Sequence, residues 1–254
     1  MSLKEERGKG VFALIILSLV TASMGLFARA LSVQFTILQQ VYLRITVAFF
    51  LGLLIFHDDL HLQKLKKISG KEWLLLFTRS TLSYLLGVTI FSQAVNLTKI
   101  SNTSFISAMP FAAIFGFFFF NEKLTTKKLC YILLGFIGVL LVAVKDYSHL
   151  FNWGSGEVLA LVSSFCLALS KISRKWQSDL LNNKEMAVIM FFISSVLIAA
   201  TSVFLNEHLI APQHWPLHIY FVLLGAGLFN VAFLFLVNYG FEKIEASLTN
   251  NLWC

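Results

Sequence analysis

Eight long apolar runs, joined by short polar links, decide what this chain can fold into. They lie near residues 11–30, 36–56, 73–95, 101–120, 128–145, 156–173, 186–205 and 217–240, and a ninth begins near Ile244. About 20 apolar residues in helical form cross a hydrocarbon layer roughly 30 Å thick. Inside lipid each backbone N–H and C=O must find its partner within the protein, which leaves helices or a closed barrel. The apolar–polar alternation of barrel strands is absent, so the runs predict helices. The links leave no room for a separate soluble domain. The chain is therefore expected to be an all-α integral membrane bundle.

Charge supports the same reading. Only 13% of the 254 residues are charged and 57% are hydrophobic, against roughly 25% charged in a soluble domain. With the N-terminus cytoplasmic, fifteen Lys and Arg fall on the inner side: Lys4, Arg7, Lys9; Lys64, Lys66, Lys67, Lys71; Lys123, Lys127, Lys128; Lys171, Arg174, Lys175, Lys184; and Lys243. Three fall outside, Arg29, Lys99 and Lys145. That asymmetry follows the positive-inside rule, so the +7 net charge reports topology, not nucleic-acid binding. The expected location is a cell membrane of the bacterial inner-membrane kind, crossed many times. Trp73, Trp153 and Trp215 stand near span boundaries as interfacial anchors. The first run exceeds a signal-peptide core and seven spans follow it, so it reads as an uncleaved helix. Cys130, Cys166 and Cys254 lie in apolar segments and show neither disulfide nor metal spacing.

A weak internal repeat is visible. "GVFALIILSLVTA" from Gly10 aligns with "GEVLALVSSFCLA" from Gly156 at an offset of 146, matching Gly10/Gly156, Ser18/Ser164 and Ala22/Ala168. "FSQAVNLTKIS" (91–101) aligns with "FLVNYGFEKIE" (235–245) at 144. A unit of five helices is odd in number, so the second copy enters the membrane inverted, an architecture recurrent in secondary transporters.

The stretch "SNTSFISAMPFAAIFGFFFFNEKLTTKKLCYILLGFIGVLLVAV" (101–144) resembles the fourth and fifth helices of the drug/metabolite transporter superfamily, in its EamA-type members. Small and hydroxylated residues, a mid-helix proline, an acid at the inner end, a basic linker and a Gly-containing helix carry the likeness. "GEVLALVSSFCLALSKISRKW" is similar to that family's sixth helix. The resemblance implies two inverted five-helix repeats that carry small organic solutes. Residues 1–150 would form the first EamA-like repeat and 151–254 the second. The second is expected to be incomplete, with about eight and a half spans present, because the chain stops inside the ninth.

Several polar residues stand inside spans. Arg44 lies about eight residues into the second span, where an arginine costs about 2.5–3.5 kcal/mol on insertion scales and normally faces a bundle interior. It either makes a solute-anion or gating contact, or caps carbonyls or snorkels toward the outer face near Gln39 and Gln40. Arg79, about six residues into the third span, has the alternative of snorkelling to the inner interface. Tyr84, Gln93, Asn96, Asn230 and Asn238 are further candidates for the substrate pathway, or bridge helices. Pro110 breaks a helical hydrogen bond, and its bend either frees a carbonyl for solute or is static. Ala108, Ala112 and Gly116 form a small-residue row suited to close helix approach. Glu122 ends the fourth span beside Lys123, as an inner gate, a proton-coupling group or an interfacial ion pair. "HDDLH" (57–61) has His57 and His61 at i, i+4, yet in a lysine-rich loop it reads as a solvated link, not a zinc site.

No phosphate loop, nucleophile elbow or paired catalytic carboxylates occur, so no enzyme and no cofactor is expected. The function predicted is a secondary transporter of small organic solutes working by alternating access, its Phe-rich walls suited to apolar parts of a solute and Arg44 to an anionic group. The alternatives are a non-transporting truncated remnant or scaffold and, further off, a membrane-embedded lipid-modifying enzyme. Expected partners are a small-molecule solute and the lipid bilayer, with a homodimer as the candidate assembly and no nucleic acid.

Overall fold

A computed structural model describes residues 12–13, 16–17, 20, 24–107, 109–120, 125–143, 154–208 and 212–243. Among them no β-strand occurs. The first span is helical at 24–32 and is called α1. Then follow α2 (Ile37–Ile55), α3 (Gly70–Leu97), α4 (Ile100–Ser107), α5 (Phe111–Phe120), α6 (Thr126–Ala143), α7 (Ser155–Ile172), α8 (Asn183–Phe204) and α9 (Leu217–Lys243). A 3₁₀ turn, Ser173–Trp176, continues α7. Among the described residues five helices are long and apolar enough to cross a membrane: α2, α3, α7 with its 3₁₀ turn, α8 and α9.

Local sequence sets the helix starts. Thr36 caps α2: its Oγ1 accepts the Gln39 N–H at 3.3 Å, and Gln39 Oε1 accepts the Thr36 N–H at 3.2 Å. Asn182 and Glu185 form the same reciprocal box on α8, both bonds 2.8 Å, and Ser69 with Glu72 forms it on α3. Each box satisfies two backbone donors that a helix N-terminus leaves open. The boxes of α2 and α8 stand 146 residues apart, and α9 starts 147 residues after α3. The α8 C-terminus closes through Asn206 at φ 56°, with the Glu207 N–H on the Ser202 carbonyl at 3.0 Å. Asparagine tolerates that left-handed conformation better than most residues.

The fourth span departs from a single bent helix. α4 ends at Ser107 and α5 begins at Phe111, so the chain at Pro110 leaves the helix altogether. Proline has no N–H to donate, and its ring collides with the carbonyl four residues back. The Met109 N–H reaches the Ile106 carbonyl at 3.1 Å, and the Pro110 carbonyl receives the Ile114 N–H at 3.0 Å, which opens α5.

Lipid is as apolar as a leucine side chain, so close packing and polar bonds hold such helices together. α2 packs against α8 and α9, while α7 packs against α3, α4 and α5. One buried cluster joins Val41, Ile45 and Ala48 of α2 to Tyr84, to Met190, Phe191 and Ile198 of α8, and to Val231 and Leu234 of α9. Another joins Leu17, Ala112, Phe115, Ala168 and Val237. Gly227 lets α9 approach α2: a Cβ there would stand 2.5 Å from Val47 Cγ1. Phe117, Phe118 and Phe119 are exposed on the outside of the bundle.

Cys130 and Cys166 are free, and no group of three His, Cys, Asp or Glu gathers among the described residues. His57 Nδ1 lies 2.9 Å from the Leu54 carbonyl. His61 turns to Glu185, its backbone N–H donating to Oε1 at 3.0 Å.

Candidate functional site

Near the middle of their helices lie Arg44 in α2, Tyr84 in α3, Ser194 in α8 and Asn230 in α9. All four are buried. Arg44 is 3% exposed, and its Nε donates to the Gln40 carbonyl of its own helix at 3.2 Å. No carboxylate among the described residues pairs with it. The Tyr84 hydroxyl is buried without a hydrogen-bond partner, and so are Gln40 Oε1 and Ser194 Oγ. A buried polar atom left unpaired costs about 1–3 kcal/mol. Asn230 donates Nδ2 to the Ala226 carbonyl one turn back, at 2.8 Å.

Tyr84 owes its position to a local irregularity. Residues Thr81–Val88 of α3 form a π-helical segment, a form frequent at functional sites. Wider turns displace backbone carbonyls, and neighbouring hydroxyls take them up. Thr89 Oγ1 donates to the Tyr84 carbonyl at 2.9 Å, and Ser163 Oγ of α7 donates to the Gly87 carbonyl at 2.7 Å. Gly87 sits tightly against Leu167 of α7. The Tyr84 ring meets Phe191 of α8 with centroids 6.0 Å apart, and the residue lies within electrostatic range of both Arg44 and Arg79.

Arg79 differs from Arg44 in how far it is engaged. It is 1% exposed, and its Nε donates to the Ser170 carbonyl of α7 at 3.1 Å. Its Nη2 donates to Asn238 Oδ1 of α9 at 2.6 Å, and its Nη1 to Gln177 Oε1. Ser170 Oγ bonds back to the Arg79 carbonyl at 2.9 Å. One guanidinium thereby ties α3, α7 and α9 together.

More cross-links join the two halves of the chain on the same side as Ser69. Glu185 receives Lys64 Nζ at 3.1 Å, Asn182 Nδ2 donates to the Asp59 carbonyl at 3.0 Å, and Lys184 pairs with Asp59. Ser178 donates to Glu72. On the opposite side, that of Thr36, an open cavity of about 730 Å³ lies between α2, α3 and α8. Its lining includes Thr36, Leu38, Thr89, Gln93 and Glu207, and reaches Leu85, the neighbour of Tyr84.

The structure thus joins Arg79 to Asn238 and buries both Arg44 and Tyr84 in the interior. Gln93 and Asn96 are exposed toward the end of α3, Gln93 on the cavity. Pro110 stands between α4 and α5, and Glu122 lies outside the described residues, as does the segment from Ile244. Sequence reasoning passed over Glu157, Gln177 and Glu185. Glu157 accepts Asn102 Nδ2 at 2.9 Å, the Gly154 N–H at 3.0 Å and the Thr98 hydroxyl, joining α3, α4 and α7. Its place, and that of Glu185, third in a helix after Gly or Asn, is the capping pattern that would have found both. Glu157→Ala should lower stability by about 2 kcal/mol, since it orphans several donors at once. Thermal denaturation in detergent checks this; an unchanged midpoint would refute it.

A helical membrane bundle with buried polar residues at mid-helix and an open cavity between α2, α3 and α8 has the build of a transport protein. The chain belongs to the EamA-like transporter family, whose sequence pattern matches residues 8–144. A solved crystal structure aligns at TM-score 0.70 with 14% identity, covering 98% of this chain and 82% of the other. At that identity the likeness is one of fold. No curated protein matches the chain.

Proposed function

We propose that the protein is a secondary carrier of small organic solutes, built from two inverted five-helix repeats that alternate access to a site around Arg44 and Tyr84. The observation that carries this reading is the asymmetry of the two sides. A cavity of about 730 Å³ opens at the Thr36 side and is lined as far as Leu85, while at the Ser69 side Arg79 and the Asp59, Lys64 and Glu72 cross-links tie the two halves of the described chain together. The recurrence of helix starts and capping boxes at 146–147 residues supports the repeat. The distribution of Lys and Arg supports a cytoplasmic N-terminus and a bacterial inner-membrane type of location, with the Ser69 side facing the cytoplasm.

Labelling tests the arrangement. On a background without the native cysteines, Gln93→Cys should react with a membrane-impermeant maleimide added outside intact cells, and Gln177→Cys should not. Proteoliposomes should show saturable solute exchange above that of protein-free vesicles. Equal outside labelling at both positions would refute the closed Ser69 side, and absence of exchange across a broad solute panel would refute the carrier.

A further inference from the structure

We infer that the solute is a small organic anion, and that Arg44 is its charge partner with the Tyr84 hydroxyl as a second donor. This rests on the carrier reading and adds a ligand class to it. The argument starts from the contrast between two arginines at similar burial. A guanidinium carries five N–H donors and stays charged. Where an arginine serves the fold, its donors are used: Arg79 reaches Ser170, Gln177 and Asn238 on other elements. Arg44 spends one donor on its own helix, at the Gln40 carbonyl, and offers its Nη groups to nothing in the described protein.

A buried cation with no counter-charge and a single backbone acceptor is costly in a low-dielectric surround. Removing that cost takes an acceptor of negative charge supplied from elsewhere. The Tyr84 hydroxyl, also buried without a partner and on a residue packed in one cluster with Val41 and Ile45, which bracket Arg44 on α2, supplies a further donor. A carboxylate oxygen accepts from both. Val41, Ile45 and Phe191, packed in one buried cluster with Tyr84, make the surroundings apolar, so the body of the solute would have to part them on entry. The open cavity is lined on α3 by Leu85, the sequence neighbour of Tyr84, and on α2 by Leu38, six residues before Arg44.

The test uses three size-matched probes, benzoate, benzamide and benzylamine, on the purified full chain and in proteoliposomes. Benzoate is expected to raise the melting temperature and to exchange across vesicles, with the amide and the amine far weaker in both. Tyr84→Phe, which keeps the ring, should weaken benzoate binding about tenfold. Arg44→Gln should abolish it, and Arg44→Lys should restore part of it, because the charge returns without the planar fork. Size-exclusion profiles establish that the variants remain folded. Should Arg44→Gln fail to fold, the Tyr84→Phe affinity and the benzoate-to-benzamide ratio decide. If benzamide or benzylamine exchanges as well as benzoate, the anion inference falls and the carrier stands. If no probe binds and no solute of any charge exchanges, both fall.

Discussion

Arg79→Ala is expected to lower the stability of the purified protein by about 3 kcal/mol and to make reconstituted vesicles leak solute. The side chain donates to the Ser170 carbonyl at 3.1 Å, to Asn238 Oδ1 at 2.6 Å and to Gln177. Hydrogen bonds with a charged partner contribute about 1.5–3 kcal/mol each, but burying the guanidinium offsets part of their sum. Alanine would leave Asn238 Oδ1 and Gln177 Oε1 without this donor, while the Ser170 carbonyl keeps the Ser173 hydroxyl at 2.8 Å. Lysine should not rescue, because a compact ammonium cannot match the directions of a planar fork. Thermal unfolding of Arg79→Ala, Asn238→Ala and the double variant measures the coupling between the two side chains. A coupling near zero would mean that this contact does not hold α3 to α9. The leak is the separate readout: a destabilised but tight protein would place the seal elsewhere on the Ser69 side.

Gly87→Ala should cost about 2 kcal/mol and reduce transport beyond what the loss of folded protein explains. A Cβ there would meet Leu167 Cδ2 at 2.6 Å and the Leu82 carbonyl oxygen at 2.8 Å. Leu167 can turn aside at some cost, but a backbone oxygen within the π segment cannot. Relief requires α3 to move from α7, which would also pull Gly87 from its 2.7 Å bond with Ser163. Because Tyr84 stands one turn away in the same segment, its ring would shift against Phe191. Specific transport per folded molecule, set beside the melting temperature, distinguishes this from simple destabilisation. Wild-type activity in a Gly87→Ala protein of normal stability would show that the segment tolerates a wider α3–α7 contact.

Much of the bundle was legible in the sequence because the relevant physics is local. The apolar runs anticipated α2, α3, α7, α8 and α9 to within a few residues, since lipid penalises any unpaired backbone group in a span. Pro110 announced a disturbance, although it interrupts the fourth span completely where a bend was expected. Within the Phe-rich stretch Phe115 is buried while Phe117, Phe118 and Phe119 are exposed, a distinction that apolarity alone does not make. Glu157 and Glu185 carried a capping signal within three residues of their helix starts.

The sequence alone therefore determined the membrane class, the helical form, the caps and the presence of arginines within spans. It could not tell Arg44 from Arg79, because each is a lone cation in an apolar run. The acceptors that engage Arg79 lie 91, 98 and 159 residues away along the chain. Packing brings them to one guanidinium and none to the other, because α3 crosses α7 and α9 where their polar groups face inward, while Arg44 points among the apolar neighbours of α2. Which arginine is committed to the fold, and which is left with its donors unspent, was settled only by tertiary structure.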